Sequence, residues 1–325
     1  ARIAELIGRD PQPFSSRARK IADALQRILW LREKGVVAEY VDTIGNRLIH
    51  PSPELATIYH CIEAEIVDTF QACRMLRFTE TDLRNERTIT RGGRLAWSSN
   101  WYPQNYSSCG LYTAENLHLA WAYYQCGLAD RANDIMTGIV DAHFLSRFCA
   151  LAAHCLSPQG YSEGSADFSE ISSLMLRAVA EGLFGIRVRR LGYYGVGTGN
   201  AVHASNIGCF QVAPNFPADW DRASLEVRDV SVRYSRESMA ESLTVESSID
   251  ARRVLRLPMR GTTVEAVTLN GRPAEYTIRA GIGRADVVVE NDERGEAILE
   301  IKHAGPHACG RELRFTLKDD GSIEA

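Results

Sequence analysis

Residues 113–144 read TAENLHLAWAYYQCGLADRANDIMTGIVDAHF, and the spacing of their apolar side chains decides the fold of the first half of the chain. Leu117, Ala120, Trp121 and Tyr124 recur at the period of one helix face, and Thr113 stands where a hydroxyl caps the first turn. Gly127 ends that helix. A second pattern, Ala132, Ile135, Met136, Ile139 and Val140, predicts a helix from about Asp130 to Phe144. With so short a joint the two fold back on each other as an αα-hairpin.

The same grammar extends outward. Ala18, Ile21, Ala22, Leu25, Ile28 and Leu29 predict an amphipathic helix over 15–31, capped by Ser15 or Ser16 and stopped by Gly35. The stretch VVAEYVDTIGNRLIHPSP, residues 36–53, alternates and then breaks at Gly45-Asn46 and at two prolines, as a short hairpin or ordered loop does. It carries Glu39, Tyr40, Asp42 and His50. From Glu54 to Phe78 helical spacing returns, as two helices divided near Val67-Asp68, and a polar connection follows over 79–93. Downstream, the loop SPQGYSEGSADFSE leads to an apolar helix, Ile171 to Phe184, closed by Gly185 and expected to be interior.

Beyond residue 190 helical spacing gives way to short alternating runs, among them SLEVRDVSVRYSR, SLTVESS and ADVVVEN, joined by Asn-Gly, Gly-Arg and Asp-Glu-Arg-Gly turns. That pattern predicts an antiparallel β-sandwich. The fold class is therefore α+β with two domains: an α/α-hairpin domain over 1–190, a linker over 191–202 and a β-sandwich over 203–325. The glycine-rich GYYGVGTGN in the linker lacks the Lys-Ser/Thr ending of a phosphate cradle and leads into strands, so it reads as a hinge. Trp220 is expected to pack the two domains together.

Composition narrows the function. The 325 residues carry 37 Lys and Arg against 41 Asp and Glu, a net charge of −4, so the footprint of a nucleic-acid binder is missing. No apolar run approaches the roughly 20 residues of a bilayer span. The start on Ala1, without Met or a signal-peptide pattern, reads as a processed or trimmed terminus. None of the eight cysteines falls in a C-x-x-C pair or a zinc-like spacing, so neither a metal nor another cofactor is expected, and disulfides stay open.

Chemistry concentrates in WSSNWYPQNYSSCGLYTAENLH, residues 97–118. Sugar rings present apolar faces that lie on flat aromatic side chains, while their hydroxyls need amide and carboxylate partners. Trp97, Trp101, Tyr102 and Tyr106 supply rings, and Asn100, Gln104 and Asn105 supply amides. Glu115 and His118 add acid–base groups. A core plug and a set of turns is the plainer account of each residue alone; the cluster points to a carbohydrate substrate.

Several blocks carry a family resemblance: GVVAEYVD, ELATIYHCIEAEIVDTFQACRMLR, SSNWYPQNYS, AENLHLAWAYYQCG, AEGLFGI and VAPNFPADWDRASL. As a set they resemble bacterial six-hairpin α/α-toroid glycoside hydrolases of polysaccharide utilisation. These lie in the broad neighbourhood of α-L-rhamnosidases, and the blocks resemble more closely a family catalogued only as a domain of unknown function. The resemblance covers roughly residues 15 to 235. It implies a toroid, a sugar substrate and a periplasmic or secreted location. Such toroids use about twelve helices, and this chain holds about half that number, so its hairpins form a partial toroid. Association with itself or with a complementary chain is the expectation, because an open half-ring leaves apolar helix faces exposed.

In such toroids the acids and bases sit on loops around a central funnel. Glu39, among Val37, Ala38 and Tyr40, is the first candidate, since burial there would raise its pKa toward that of a general acid. Glu115, in the first turn of its helix, is expected to stay ionised beside the helix N-terminus and to act as base or nucleophile. Tyr40, Asp42, His60, Gln71, His118 and Glu163 join Trp97, Asn100, Trp101, Tyr102 and Tyr106 as candidate substrate-binding residues, with Glu163 and Asp167 beside Tyr161 as second-choice acids. Paired carboxylates imply hydrolysis. A toroid-type lyase using Tyr102, Tyr106, His118 and Asn100, or a non-catalytic carbohydrate-binding fragment of a larger hydrolase, are the alternatives.

Overall fold

The computed structural model describes residues 1, 4, 7–85, 95–102, 109–145, 154–157, 162–163, 169–190, 207–248, 252–280, 284–292, 295–307, 316–317 and 323–324. Gln104, Asn105, Tyr106, Tyr161, Asp167 and the glycine-rich run lie outside them.

Helix α1, Gln12–Ala24, starts after Pro11, three residues before the expected serine caps, and neither serine caps it. Proline suits that start because its missing N–H would be unsatisfied anyway. The helix loosens into a π-helical turn, Leu25–Leu29, and the chain then extends, so Trp30–Leu31 (β1) pairs with Val36–Val37 (β2) across a turn in which Gly35 takes φ +70°. Tyr40–Val41 (β3) and Ile49–His50 (β4) form the expected hairpin. Helices α2, Leu55–Glu63, and α3, Thr69–Thr81, divide at the predicted break, where Asp68 and Gln71 form a reciprocal capping box.

Leu111–Tyr112 (β5) leads into α4, Thr113–Gln125, and Gly127 at φ +76° turns the chain into α5, Ala129–Leu145. Thr113 is the first helical residue rather than the cap; Tyr112 holds that place. Helix α4 packs against α2, α5 and the last helix, and is buried on several sides, including Leu119, Ala122 and Tyr123 outside the predicted stripe. Cys155–Leu156 (β6) pairs with β5 and with Ser162–Glu163 (β7). The last helix, α6, Ser169–Arg177, continues as a π-helical segment, Ala178–Leu183. The expectation of an interior helix fails here: Ile171 is buried, but Leu176 is 72% exposed, because α6 lies at the edge of the helical layer and shows one face to solvent.

The sheets begin earlier than expected, at β8, Ile186–Arg190, which pairs antiparallel with β9, Ile207–Val212. A six-stranded sheet is ordered β10-β11-β12-β18-β14-β15: Arg222–Val227, Val230–Glu237, Ala240–Ser247, Gly295–His307, Gly261–Leu269 and Arg272–Pro273. A five-stranded sheet is ordered β16-β17-β13-β9-β8, with β13 Arg252–Pro258, β16 Thr277–Ala280 and β17 Ala285–Asn291. The wholly antiparallel expectation is corrected at one pair. Strands β9 and β13 run parallel, since the chain returns to the sheet after crossing to the other one. The inner faces share one core, with Val232, Leu243, Val245 and Leu299 from one sheet and Leu255, Leu257, Val287 and Val289 from the other. The Asn270-Gly271 turn has both residues at positive φ, as a tight hairpin needs.

The helical layer is joined to the sheets through a dense seam. Gly185, at φ +62°, lets the chain pass so close to Ala213 that a Cβ there would lie 1.9 Å from its carbonyl oxygen. Phe184 meets Phe216 edge to face at 5.0 Å, and Phe216 also touches Tyr234 and stacks on Trp220. Phe216 is thus the ring that bridges helix and sheet, with Trp220 behind it. Asn215 donates to the Gly182 carbonyl and accepts from Arg284, which is also paired with buried Asp286.

Candidate functional site

The site gathers around the N-terminus of α2. The β3–β4 register sets Tyr40 opposite His50, and their rings stack at 5.0 Å. Trp101 meets His50 edge-on at 4.7 Å and donates its indole N–H to the Ser52 carbonyl at 2.9 Å. His50 Nδ1 lies 3.2 Å from the same oxygen, and the Ser52 hydroxyl donates to Asn100 at 2.5 Å. Tyr40, half-exposed, and exposed Asn100 thus flank an aromatic step fixed by one backbone carbonyl.

Behind that step stand three carboxyl groups. Glu39 Oε2 accepts the Glu54 backbone N–H at 2.8 Å and the Thr57 hydroxyl at 2.6 Å, which makes Glu39 the cap of α2. The Glu54 side chain makes no capping bond. Burial, and then the charge of Glu39, raise the Glu54 pKa. Glu115 sits in the first turn of α4; burial and then the charge of Glu54 push it up to about 7. Its Oε2 is enclosed without a hydrogen-bond partner. The expectation that the helix N-terminus would keep Glu115 ionised is overturned, because a fraction of a unit charge at a helix end does not offset desolvation plus a neighbouring carboxylate.

On the far side of Tyr59 a second polar group forms. The Tyr59 ring stacks on His118 at 4.6 Å, and His118 Nδ1 donates to Glu63 at 2.6 Å. Arg177 lies 3.6 Å from Glu63 and 3.4 Å from Glu181, with its guanidinium 4.0 Å above the Trp121 ring. Burial, followed by Glu115, Glu63, Glu170 and Glu54, raises the Tyr59 phenol well above its usual range. Burial lowers His60, and His118 and Arg177 add to that against the opposing pull of Glu63. A cleft of 540 Å³ opens over α2, with Leu25 and Leu29 on one rim, Arg177 on the other, and Glu39, Thr57, His60 and Glu63 facing it.

The structure therefore brings Glu39, Tyr40, His60, Asn100, Trp101, Glu115 and His118 into one region. Trp97 is half-buried and packs on the core, its backbone bonded to Leu83. Gln71 does not reach the cleft as a free amide; it is held by Asp68 and by a double hydrogen bond with Gln26. Tyr102 is 85% exposed. Asp42 closes the β3–β4 hairpin through its backbone bond to Leu48. Glu163 lies in β7, paired with Cys155, and its side chain is outside the described residues. Sequence reasoning missed Glu54, Glu63, Ser52 and Arg177. Glu54 carried a signal, since a glutamate directly after Pro53 at a helix start is a poor cap by residue type. Among the described residues no group of three or more His, Cys, Asp and Glu side chains is placed to hold a metal ion, and no helix is long and apolar enough to cross a membrane.

Comparison with solved structures gives the architecture a context. An α-L-rhamnosidase from Streptomyces avermitilis, complexed with L-rhamnose, superposes with a TM-score of 0.51 at 14% identity over 93% of this chain. An α-L-rhamnosidase from Dictyoglumus thermophilum gives 0.54 at 11% identity, again over 93%. The fold is similar to theirs. The chain spans 25% and 30% of the lengths of those two proteins. No family model matches the chain, and no curated protein sequence does.

Proposed function

We propose that this chain carries part of a glycoside hydrolase site for an oligo- or polysaccharide. The observation that supports it is Glu115, a carboxyl pushed up to about 7 with one enclosed, unpartnered oxygen, next to a second carboxyl, Glu54. A general acid works best when its pKa lies near the working pH. Glu115 protonates the glycosidic oxygen as the bond to the anomeric carbon breaks. Glu54, whose basicity Glu39 raises, takes the proton of the water that attacks that carbon. Glu39 is then a positioning residue, and Tyr40, His50 and Trp101 offer a sugar ring its stacking surface. The fold likeness to α-L-rhamnosidases agrees with a sugar substrate. A periplasmic or secreted location belongs to the same reading.

Release of nitrophenol from a panel of aryl glycosides tests it. Glu115→Gln should lower kcat by about 10²–10⁴-fold, and the rate of the unmodified protein should fall as pH rises through about 7. A turnover unchanged by that substitution refutes the assignment. A lyase has less support, because the Tyr59 phenol beside the site is held protonated and Tyr102 is far exposed. A product absorbing in the ultraviolet would reverse that preference. The non-catalytic reading draws on the exposed aromatic step, and binding without turnover for every glycoside would favour it.

A further inference from the structure

Helices α3 and α4 are tied together by Tyr123, whose hydroxyl lies 3.3 Å from the Leu76 carbonyl, 3.0 Å from the Thr79 hydroxyl and 3.1 Å from Glu80. One turn before Leu76 on α3 stands Cys73. One turn after Tyr123, capping the C-terminus of α4, stands Cys126. Both are free thiols, and they meet in a hydrogen bond that Cys126 donates to Cys73, so the helices run antiparallel at this contact.

The pair is asymmetric. Cys73 is half-buried, whereas Cys126 is 6% exposed. The hydrogen bond from Cys126 holds the Cys73 thiol below its usual value against the opposing effect of burial, while that same bond and burial push Cys126 up. A thiol that is both lowered and reachable is the one that attacks. Cys61, pushed up to about 11 by burial and then by Glu39, and Cys109, raised by burial, have neither property.

We propose that Cys73 and Cys126 form a redox-active pair, which a small-molecule disulfide closes into a covalent bond between α3 and α4. The Cys73 thiolate attacks one sulfur of the oxidant and expels the other half as a thiolate. The Cys126 sulfur then attacks Cys73, and the bond from Cys73 to the remaining half of the oxidant breaks. The two cysteines lose two electrons, the oxidant gains them, and the two thiol protons end on its two halves. The loop so closed runs from 73 to 126 and holds both Trp101 and Glu115. The inference uses neither the carboxyl pair nor the sugar reading.

Glutathione disulfide added to the full, folded chain at neutral pH tests it, with the remaining thiols alkylated before digestion. Cleavage after Arg, Lys and Glu leaves Cys73 in residues 66–74 and Cys126 in residues 116–131, each the single cysteine of its peptide. Mass spectrometry should find these two peptides joined, and the melting temperature should rise by about 5 °C. In urea the same oxidant should scramble the pairing. Cys126→Ala should leave Cys73 carrying one glutathione, and Cys73→Ala should leave Cys126 unmodified. Recovery of both peptides fully alkylated after prolonged oxidation, or Cys73 joined to a third cysteine, overturns the proposal; so does a Cys73→Ala chain whose Cys126 still reacts. The mapping of the unmodified chain needs no variant, so it decides the matter even where a substitution unfolds the protein.

Discussion

Glu115 and Glu241 show how one residue type takes opposite states within this chain. Glu241 is 2% exposed, and burial alone would raise its pKa, yet hydrogen bonds from His303, the charge and hydrogen bond of Arg260, and the Tyr234 hydroxyl outweigh that and hold it low. Tyr234 donates to it at 2.5 Å, Arg260 at 3.0 Å and His303 at 2.9 Å. A depressed folded pKa contributes stability above the unfolded value, near 4.5, and that contribution is lost as pH falls below it. Glu115, with its raised value, does the reverse: its contribution is complete below the unfolded value and fades as pH rises toward 7. Replacing Glu241 with Ala removes the buried carboxylate that Tyr234, Arg260 and His303 share and should cost about 3–5 kcal/mol, read by urea denaturation at neutral pH, with a smaller difference near pH 3. Neither state was legible in the sequence. The neighbours that decide it, Glu54 for Glu115 and Arg260 and His303 for Glu241, come from elements far away along the chain.

At the scale of elements, periodicity told most of the story where one face alone is buried, and misled where tertiary contacts decide. The α4–α5 hairpin, the break at Asp68 and the Asn270-Gly271 turn were all readable, because each is set by local spacing or by a residue type that a turn requires. The interior placement of α6 was not, since apolar content does not say which faces find partners. Of the named site residues, Glu39 and Glu115 stand in one region, but the capping role of Glu39 depends on where α2 begins in space. Gly185 makes the clearest element-level prediction. Its positive φ and the 1.9 Å approach to Ala213 leave no room for a methyl group where the last helix enters β8. Gly185→Ala should destabilise by about 2 kcal/mol or more, seen as a lowered melting temperature with the pH profile of the remaining folded protein unchanged.

For the molecule as a whole, the seam between helices and sheets is the feature with the widest reach. The domain boundary expected in the sequence, after residue 190, would cut between β8 and β9, which are hydrogen-bonded neighbours in one sheet. A fragment ending at Arg190 should therefore be insoluble or molten, whereas one retaining the strands through His307 should melt cooperatively, and calorimetry of the two distinguishes the cases. The parallel pairing of β9 with β13 adds a temporal consequence. Strand β9 has its β13 partner only after residues 252–255 have been synthesised, so on the ribosome the finished helical layer waits for a strand some forty residues further on. During that interval one edge of β9, already paired with β8 on the other side, stays open. A chaperone that shields this open edge should raise the yield of folded protein, and chains ending between β9 and β13 should aggregate through it.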